Sequence, residues 1–154
     1  MATINAILNI SSADLSSSPL ALTKTMTMTK AGSSNGLEFT SGLVRRKLTA
    51  VTAIDLVTVG EQMYGTPTAS KANKLYVKNT GSSSTDYVEI AIGDSAADSG
   101  EELLATGGNS KITLGKLFGG DWMLIPFEGS TNNDIIVTPS TAEVTTIEWM
   151  LFFE

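Results

Sequence analysis

The feature that most constrains the fold is a strict alternation of side-chain character in short runs, each followed by turn-forming residues. In residues 23–30 the threonines fall on one face of an extended chain, and the lysines and methionines fall on the other. Such a period of two predicts β-strands, and the Gly, Ser, Asn and Asp residues between the runs predict turns. Further strands are predicted at 3–10, 43–50 with a continuation over 54–59, 74–79, 86–92, 111–114, 121–127, 135–138 and 144–153.

Helical periodicity is scarce, so no helices are available to cover a parallel sheet, and the chain is predicted to be all-β. The expected architecture is a single β-sandwich, jelly-roll-like, with an immunoglobulin-like sandwich as the nearest alternative. Residues 74–79 and 86–92 are expected to pair as a hairpin. The start of the chain differs, because a short apolar alternation is followed by the polar run SSADLSSSP. We therefore predict an extended N-terminal arm with one or two strands in residues 1–40, and a sandwich domain in residues 41–154.

Composition removes several classes of function. A chain of 154 residues suffices for one compact domain. It contains no cysteine and no histidine, which argues against disulfides, thiolate chemistry, sulfur-ligated metals and hydrolases of the triad type. No run approaches the length of a membrane-spanning helix, and the N-terminus lacks the basic start and apolar stretch of a signal peptide. We expect a non-enzymatic protein without cofactor or metal, made and assembled in the cytosol.

The charge balance bears on partners. The formal net charge is −6, so a nucleic acid backbone would repel the domain as a whole. Charged residues make up only 17% of the chain, a composition that suits a surface lying against neighbouring subunits but also an ordinary Thr-rich β protein. Composition alone leaves both interpretations open.

Two acidic groups are candidate sites. Asp94, Asp98, Glu101 and Glu102 offer oxygen ligands for calcium, yet they lack the spacing of a calcium-binding loop, and a solvated loop is the simpler interpretation. A carboxylate pair for glycoside hydrolysis needs only two suitably spaced acids. The candidates for such a pair, none favoured by spacing, are Asp86, Glu89, Asp121 and Glu148.

The basic cluster, defined as Arg45, Arg46 and Lys47, holds three of the ten basic residues of an acidic chain. Arg45 and Lys47 share one face of a strand, where they would protect an edge strand from aggregation. Equally, the cluster would pair with an acidic surface on a partner, since Arg binds carboxylates in a bidentate manner. Both hypotheses are retained.

The two ends of the chain supply the other interface candidates. In the last run Ile147, Trp149, Leu151 and Phe153 share one face, which we predict to be core, while Met150 and Phe152 share the other. Met and aromatic residues are enriched in interface cores, so at least one of Met150 and Phe152 is expected to contact a subunit. In the N-terminal arm the interface candidates are Ile4, Ile7 and Leu8.

Four segments of the C-terminal half carry a resemblance to a known family. They are KLYVKNTGSSSTDYVEIAIG, GDWMLIPFEG, DIIVTPS and TTIEWMLFFE. With these strand phrases, about half of the chain resembles small virion proteins of tailed bacteriophages. Among such proteins, capsid decoration or cement proteins are similar in size, acidity and lack of cofactor.

The resemblance implies a jelly-roll or related β fold, often trimeric, seated where capsomers meet and holding the shell against internal DNA pressure. The implied partners are the major capsid protein and copies of the chain itself in a homotrimer, with no nucleic acid, membrane or small-molecule substrate. The implied location is the capsid surface of a virion assembled in the host cytoplasm. Alternatives are a tail, neck or fibre component, or a carbohydrate-binding β-sandwich, for which Trp122 and Tyr64 are the free aromatic candidates.

Overall fold

The computed structural model describes residues 3–13, 20–29, 39–57, 72–93, 111–128, 134–143 and 145–153. Within these ranges the chain is all-β, with no helix. The strands are β1 Thr3–Ser12, β2 Leu20–Thr29, β3 Phe39–Thr40, β4 Val44–Lys47, β5 Ile54–Val57, β6 Ala72–Asn79, β7 Tyr87–Gly93, β8 Lys111–Phe118, β9 Trp122–Glu128, β10 Asp134–Pro139 and β11 Thr146–Phe153.

The chain divides into two compact units, Met1–Glu38 and Phe39–Glu154. The boundary places Phe39 and Thr40 with the second unit, because β3 pairs with β11. The sequence predicts these two residues to lie in the arm, because nothing in the local sequence shows that they pair with a distant strand.

The first unit contains an antiparallel hairpin of β1 and β2, with Thr3 opposite Thr29 and Ser12 opposite Leu20. Directly opposed residues of an antiparallel pair share one face, so this register makes the hairpin two-faced. One face, called here the threonine face, carries threonines and asparagines together with Ile7, Ser11 and Ala21. The other face, called here the apolar face, carries Ile4, Ala6, Leu8, Ile10, Leu20, Leu22, Met26 and Met28, with Ser12 and Lys24 as its polar members.

The second unit contains two sheets. The larger sheet has the order β3-β11-β6-β9, with β4 also pairing with β11, and the smaller sheet has the order β5-β10-β7-β8. Every pairing within the two sheets is antiparallel. Buried side chains from both sheets form one hydrophobic cluster between them, so the sheets pack face to face as in a β-sandwich.

The core follows from the alternation in the sequence. Ile147, Trp149, Leu151 and Phe153 point from β11 into the cluster, as their shared face predicts. Leu75 and Val77 on β6 lie opposite Leu151 and Trp149 and extend the same layer. The smaller sheet contributes the facing layer, formed by Leu56, Val57, Val88, Ile90, Leu117, Ile135 and Val137.

Two sequence predictions about connectivity are wrong. Residues 74–79 and 86–92 do form strands, β6 and β7, but they belong to different sheets and do not pair as a hairpin. The extended pattern from residue 43 to 59 also divides between the sheets, because β4 pairs with β11 whereas β5 pairs with β10. In both cases the connecting residues carry the chain from one sheet to the other.

Pro126 lies in β9, which ends the order of the larger sheet. A proline within an apolar run indicates an edge strand or a bulge, because it has no amide hydrogen to donate, and β9 is an edge strand. The run DWMLIPF is apolar on both faces, which is typical of a strand buried on both sides, but β9 is not buried in this way because Trp122 is 50% exposed. Within the described residues, no helix is long and apolar enough to cross a membrane.

Candidate interaction surfaces

The basic cluster lies on β4, where two of its three charges are matched by carboxylates of the same chain. The Arg45 guanidinium binds Glu148 through Nη2 at 3.0 Å and Nε at 3.1 Å. Lys47 Nζ lies 2.7 Å from Glu143. Arg46 is exposed and stands opposite the core residue Ile147. Since the paired cations are already partly satisfied, this geometry favours the edge-strand interpretation over a surface of three free cations.

A row of polar residues crosses the outer face of the larger sheet, away from the core. Strand register places Arg45 opposite Glu148, Glu148 opposite Lys78, and Lys78 opposite Trp122. We call these four residues the polar row. Adjacent strands lie about 4.8 Å apart, so the row extends roughly 14 Å across the sheet. It begins at a cation and ends at an exposed indole ring.

Tyr76 lies beside this row and is held by it. Its hydroxyl donates a hydrogen bond to Glu148 Oε1 at 3.2 Å, and its ring centroid lies 6.4 Å from that of Trp122 at an interplanar angle of 40°. Desolvation by burial raises the Tyr76 pKa above its ordinary value, and the hydrogen bond and negative charge of Glu148 raise it further. The phenol is therefore neutral and fixed in orientation near neutral pH.

The C-terminal candidates occupy the same outer face with different exposure. Met150 lies opposite Tyr76 and is half-buried. Phe152 lies opposite Lys74 and is only 8% exposed, so its ring offers little free surface in this chain. Burial also lowers the pKa of Lys74 by desolvation. Of the two C-terminal candidates, Met150 retains the more accessible side chain.

The hairpin separates its three candidates. Ile4 and Leu8 lie on the apolar face, whereas Ile7 lies on the threonine face opposite Thr25. An odd spacing in a strand reverses the side-chain direction, which explains why Ile7 cannot act together with the other two. The apolar face also includes residues that sequence reasoning did not select as interface candidates. Its exposed large members, called here the aliphatic ladder, are Leu8, Ile10, Leu20 and Leu22, at 37–43% exposure.

The carboxylates proposed for glycoside hydrolysis each serve a local structural contact. Asp86 accepts a hydrogen bond from Thr141, and Glu89 accepts one from Thr113 and lies 3.6 Å from Lys111 Nζ. Asp121 accepts the backbone N–H of Phe118. Glu148 is occupied by Arg45 and Tyr76 as described above. These contacts give each acid a role in the fold.

A polar cavity of about 200 Å³ lies beside the end of β6, lined by Asn79, Gly81, Ser82, Ser83, Asp86 and Thr145. The buried Asn79 amide donates to the carbonyl of Leu117 at 3.0 Å, and its oxygen accepts the N–H of Gly81 at 2.9 Å. The first of these bonds joins β6 to β8, which belong to facing sheets. The Asn79 side chain in this lining therefore connects the two sheets.

The acidic group Asp94, Asp98, Glu101 and Glu102 lies outside the described residues, and so does Tyr64. Within the described ranges, no cluster of three or more acidic, His or Cys side chains could hold a metal ion. No protein-family model, curated protein or solved structure matches the chain.

Proposed function

We propose that the chain is a non-enzymatic structural subunit of a virus particle, most like a capsid decoration or cement protein. In this role it binds the major capsid protein on the outer surface of the shell, at capsomer junctions. The observation that carries the proposal is the hairpin, whose aliphatic ladder is exposed on one face. A clustered, exposed apolar surface of this kind favours contact with another protein.

The hairpin suits a subunit contact in two further respects. Lys24 is the only charged residue in β1 and β2, so docking the apolar face would require little desolvation of charge. Ten-residue strands also offer backbone hydrogen bonds at their edges, through which another chain can add a strand. Binding to the assembled shell would stabilise it by mass action, without any bond being made or broken.

The strand order supports a finer description of the fold as a jelly roll with an N-terminal arm. With the strands from β4 to β11 taken in chain order, one sheet contains the first, eighth, third and sixth, and the other the second, seventh, fourth and fifth. This is the order expected of two interlocked Greek keys, an architecture found in viral capsid domains and lectins. The fold supports the virion proposal by analogy only.

The direct test is binding to expanded empty shells and to unexpanded shells of the virus that encodes the chain, measured by co-sedimentation. We expect the protein to occupy expanded shells in preference to unexpanded ones. The variant Leu22→Asp should lower the affinity at least tenfold, because a carboxylate would then be buried in an apolar contact. The matched control Thr25→Asp puts the same charge on the threonine face and should retain full occupancy.

Absence of wild-type binding to either shell would contradict the virion function. Normal binding by Leu22→Asp would instead contradict the assignment of the contact to the hairpin and leave the shell as partner. A capsid role also predicts a homotrimer, which multiplies weak contacts on a symmetric lattice. Analytical ultracentrifugation of the isolated protein tests this. A hexamer or larger ring would favour a tail or neck component.

A further inference from the structure

Among the aromatic side chains of the sandwich whose exposure the structure describes, Trp122 is the most open, because half of its surface faces solvent at the end of the polar row. Its neighbour Tyr76 is held in place by a hydrogen bond to Glu148, which is itself bound by Arg45 at the other end of the row. The Glu148 side chain itself is only 12% exposed. The exposed indole thus lies opposite Lys78 and beside Tyr76, whose orientation is set by the fold, as in a preorganised binding site.

Flat or amphipathic ligands that stack on such a ring include nucleobases, sugars and protein side chains. A nucleic acid is disfavoured by the net charge of −6. The polar row alternates in sign, from Arg45 to Glu148 to Lys78, and does not present a field of one sign. Alternating donors and acceptors beside a ring match a ligand that has hydroxyl groups around an apolar face, which is the chemistry of a pyranose.

We infer that the polar row and Tyr76 form a binding site for a pyranose chain lying across the strands of the larger sheet. One sugar stacks its C–H face on Trp122, because the electron-rich ring attracts the weakly positive hydrogens. Lys78 donates to hydroxyl oxygens of the same or the next sugar. Glu148 accepts two hydrogen bonds from Arg45 on Oε2 and one from Tyr76 on Oε1. Oε1 therefore retains one lone pair, which accepts from a sugar hydroxyl.

The second aromatic pair on the described surface provides a contrast. Phe118 is 38% exposed and lies 5.5 Å from Tyr87 in an edge-to-face arrangement. The Tyr87 ring is covered by Lys116, whose Nζ lies 4.3 Å from the ring centroid. Among the residues that the structure describes, no cation covers Trp122. Stacking is therefore open at Trp122 and obstructed at Tyr87.

Intrinsic fluorescence offers a sharp test, because the chain has two tryptophans and Trp149 is only 8% exposed. The full-length protein is titrated with hexasaccharides of β-1,4-glucose, α-1,4-glucose, N-acetylglucosamine and galacturonate, and with single-stranded oligothymidine. At least one hexasaccharide should change the Trp122 emission at millimolar concentration. The affinity for the responding hexasaccharide is then measured by calorimetry. Trp122→Ala should lower this affinity at least tenfold and Lys78→Met severalfold, whereas the control Phe118→Ala should leave the affinity unchanged.

No response to any hexasaccharide overturns the inference, and so does a response to oligothymidine alone. Retained sugar affinity in Trp122→Ala, with normal folding by circular dichroism, would move the site elsewhere and equally overturn it. Trp122→Phe keeps a ring and should bind with intermediate affinity, which separates stacking from loss of structure. Shell binding depends on the hairpin in the proposal above, so the two experiments fail independently.

Discussion

The carboxylate of Glu148 joins three strands of the larger sheet, because it accepts from Arg45 on β4 and from Tyr76 on β6 while belonging to β11. Tyr76 has its pKa raised by burial first and by Glu148 second. We predict that Glu148→Gln lowers the Tyr76 pKa toward its ordinary value of 10.0, since the charge repelling the phenolate is removed. The phenolate absorbance during an alkaline titration measures this, and Tyr76→Phe identifies the signal.

The raised pKa of Tyr76 also makes the stability of the protein depend on pH. A phenol whose folded-state pKa is raised contributes stability that is fully present below pH 10.0 and is lost as the pH rises through the folded value. The free energy of unfolding of the wild type should therefore fall above pH 10.0, and Tyr76→Phe should reduce that fall. Identical alkaline limbs in urea denaturation of the two proteins would contradict the prediction.

Gly119 tests how closely a turn packs against a neighbouring loop. A Cβ at this position would lie 2.6 Å from the backbone nitrogen of Ser83, and the Gly119 N–H donates to the Ser83 carbonyl at 2.9 Å. We predict that Gly119→Ala lowers the free energy of unfolding by about 2 kcal/mol, because backbone atoms cannot move aside cheaply.

Gly42→Ala is the matched control for Gly119→Ala. Gly42 has φ of +69° and open space around its Cβ position, so only backbone strain of about 1 kcal/mol is expected there. Equal losses of stability in the two variants would show that the contact with Ser83 is not limiting. Urea denaturation followed by tryptophan fluorescence measures the free energy of unfolding of both variants.

At the scale of elements, alternation predicts the strands well and their partners poorly. The core faces of β6 and β11 follow from period two, which each strand sets by itself. The sheet to which a strand belongs does not follow from period two, because it depends on which distant strand covers its apolar face. The six residues 80–85 have a composition that suits a hairpin turn, yet they carry the chain across the sandwich. The two-faced register of β1 and β2 likewise required the structure.

The candidate surfaces could likewise be predicted only in part, because they too depend on which strands pair. Clustering along the chain selected Arg45, Arg46 and Lys47, but the pairing of β4 with β11 divides them between different contacts. The polar row was not predicted, because its members come from four strands that are distant in sequence. Three of its members are candidates on sequence grounds for separate reasons: Trp122 as a free aromatic residue, Arg45 in the basic cluster and Glu148 as a carboxylate. Tyr76 and Lys78 alternate along β6, which places them on one face but does not identify their neighbours.

Strand β11 lies in the interior of the larger sheet, so truncating a core residue on it should lower the stability of the protein strongly. This strand pairs with β3, β4 and β6, and Leu151 on it is 1% exposed within the core cluster. Leu151→Ala should cost about 2–5 kcal/mol, the sum of lost burial and a cavity. Leu114→Ala, at a position 41% exposed on β8, should change stability by no more than about 0.5 kcal/mol. Similar values for both would contradict the assignment of the core.

At the scale of the whole molecule, the division into two units predicts that the second unit folds without the first, whereas the first does not fold without the second. The core cluster is drawn entirely from the second unit, and all strands from β3 onward pair among themselves. A variant containing only residues 39–154 should therefore keep one cooperative unfolding transition and a buried Trp149. A peptide of residues 1–38 should lack stable β structure in circular dichroism, because an isolated two-stranded hairpin is marginal in water.

The shortened variant also separates folding from binding. If the hairpin holds the shell and the polar row holds sugar, residues 39–154 should lose shell binding while retaining the fluorescence response to the hexasaccharide. Shell binding and sugar binding depend on different residues, so the loss of one does not imply the loss of the other. A shortened chain without a cooperative transition would contradict the independence of the sandwich, because the hairpin would then contribute to its stability. A folded chain that still occupies expanded shells would move the capsid contact from the hairpin to the sandwich.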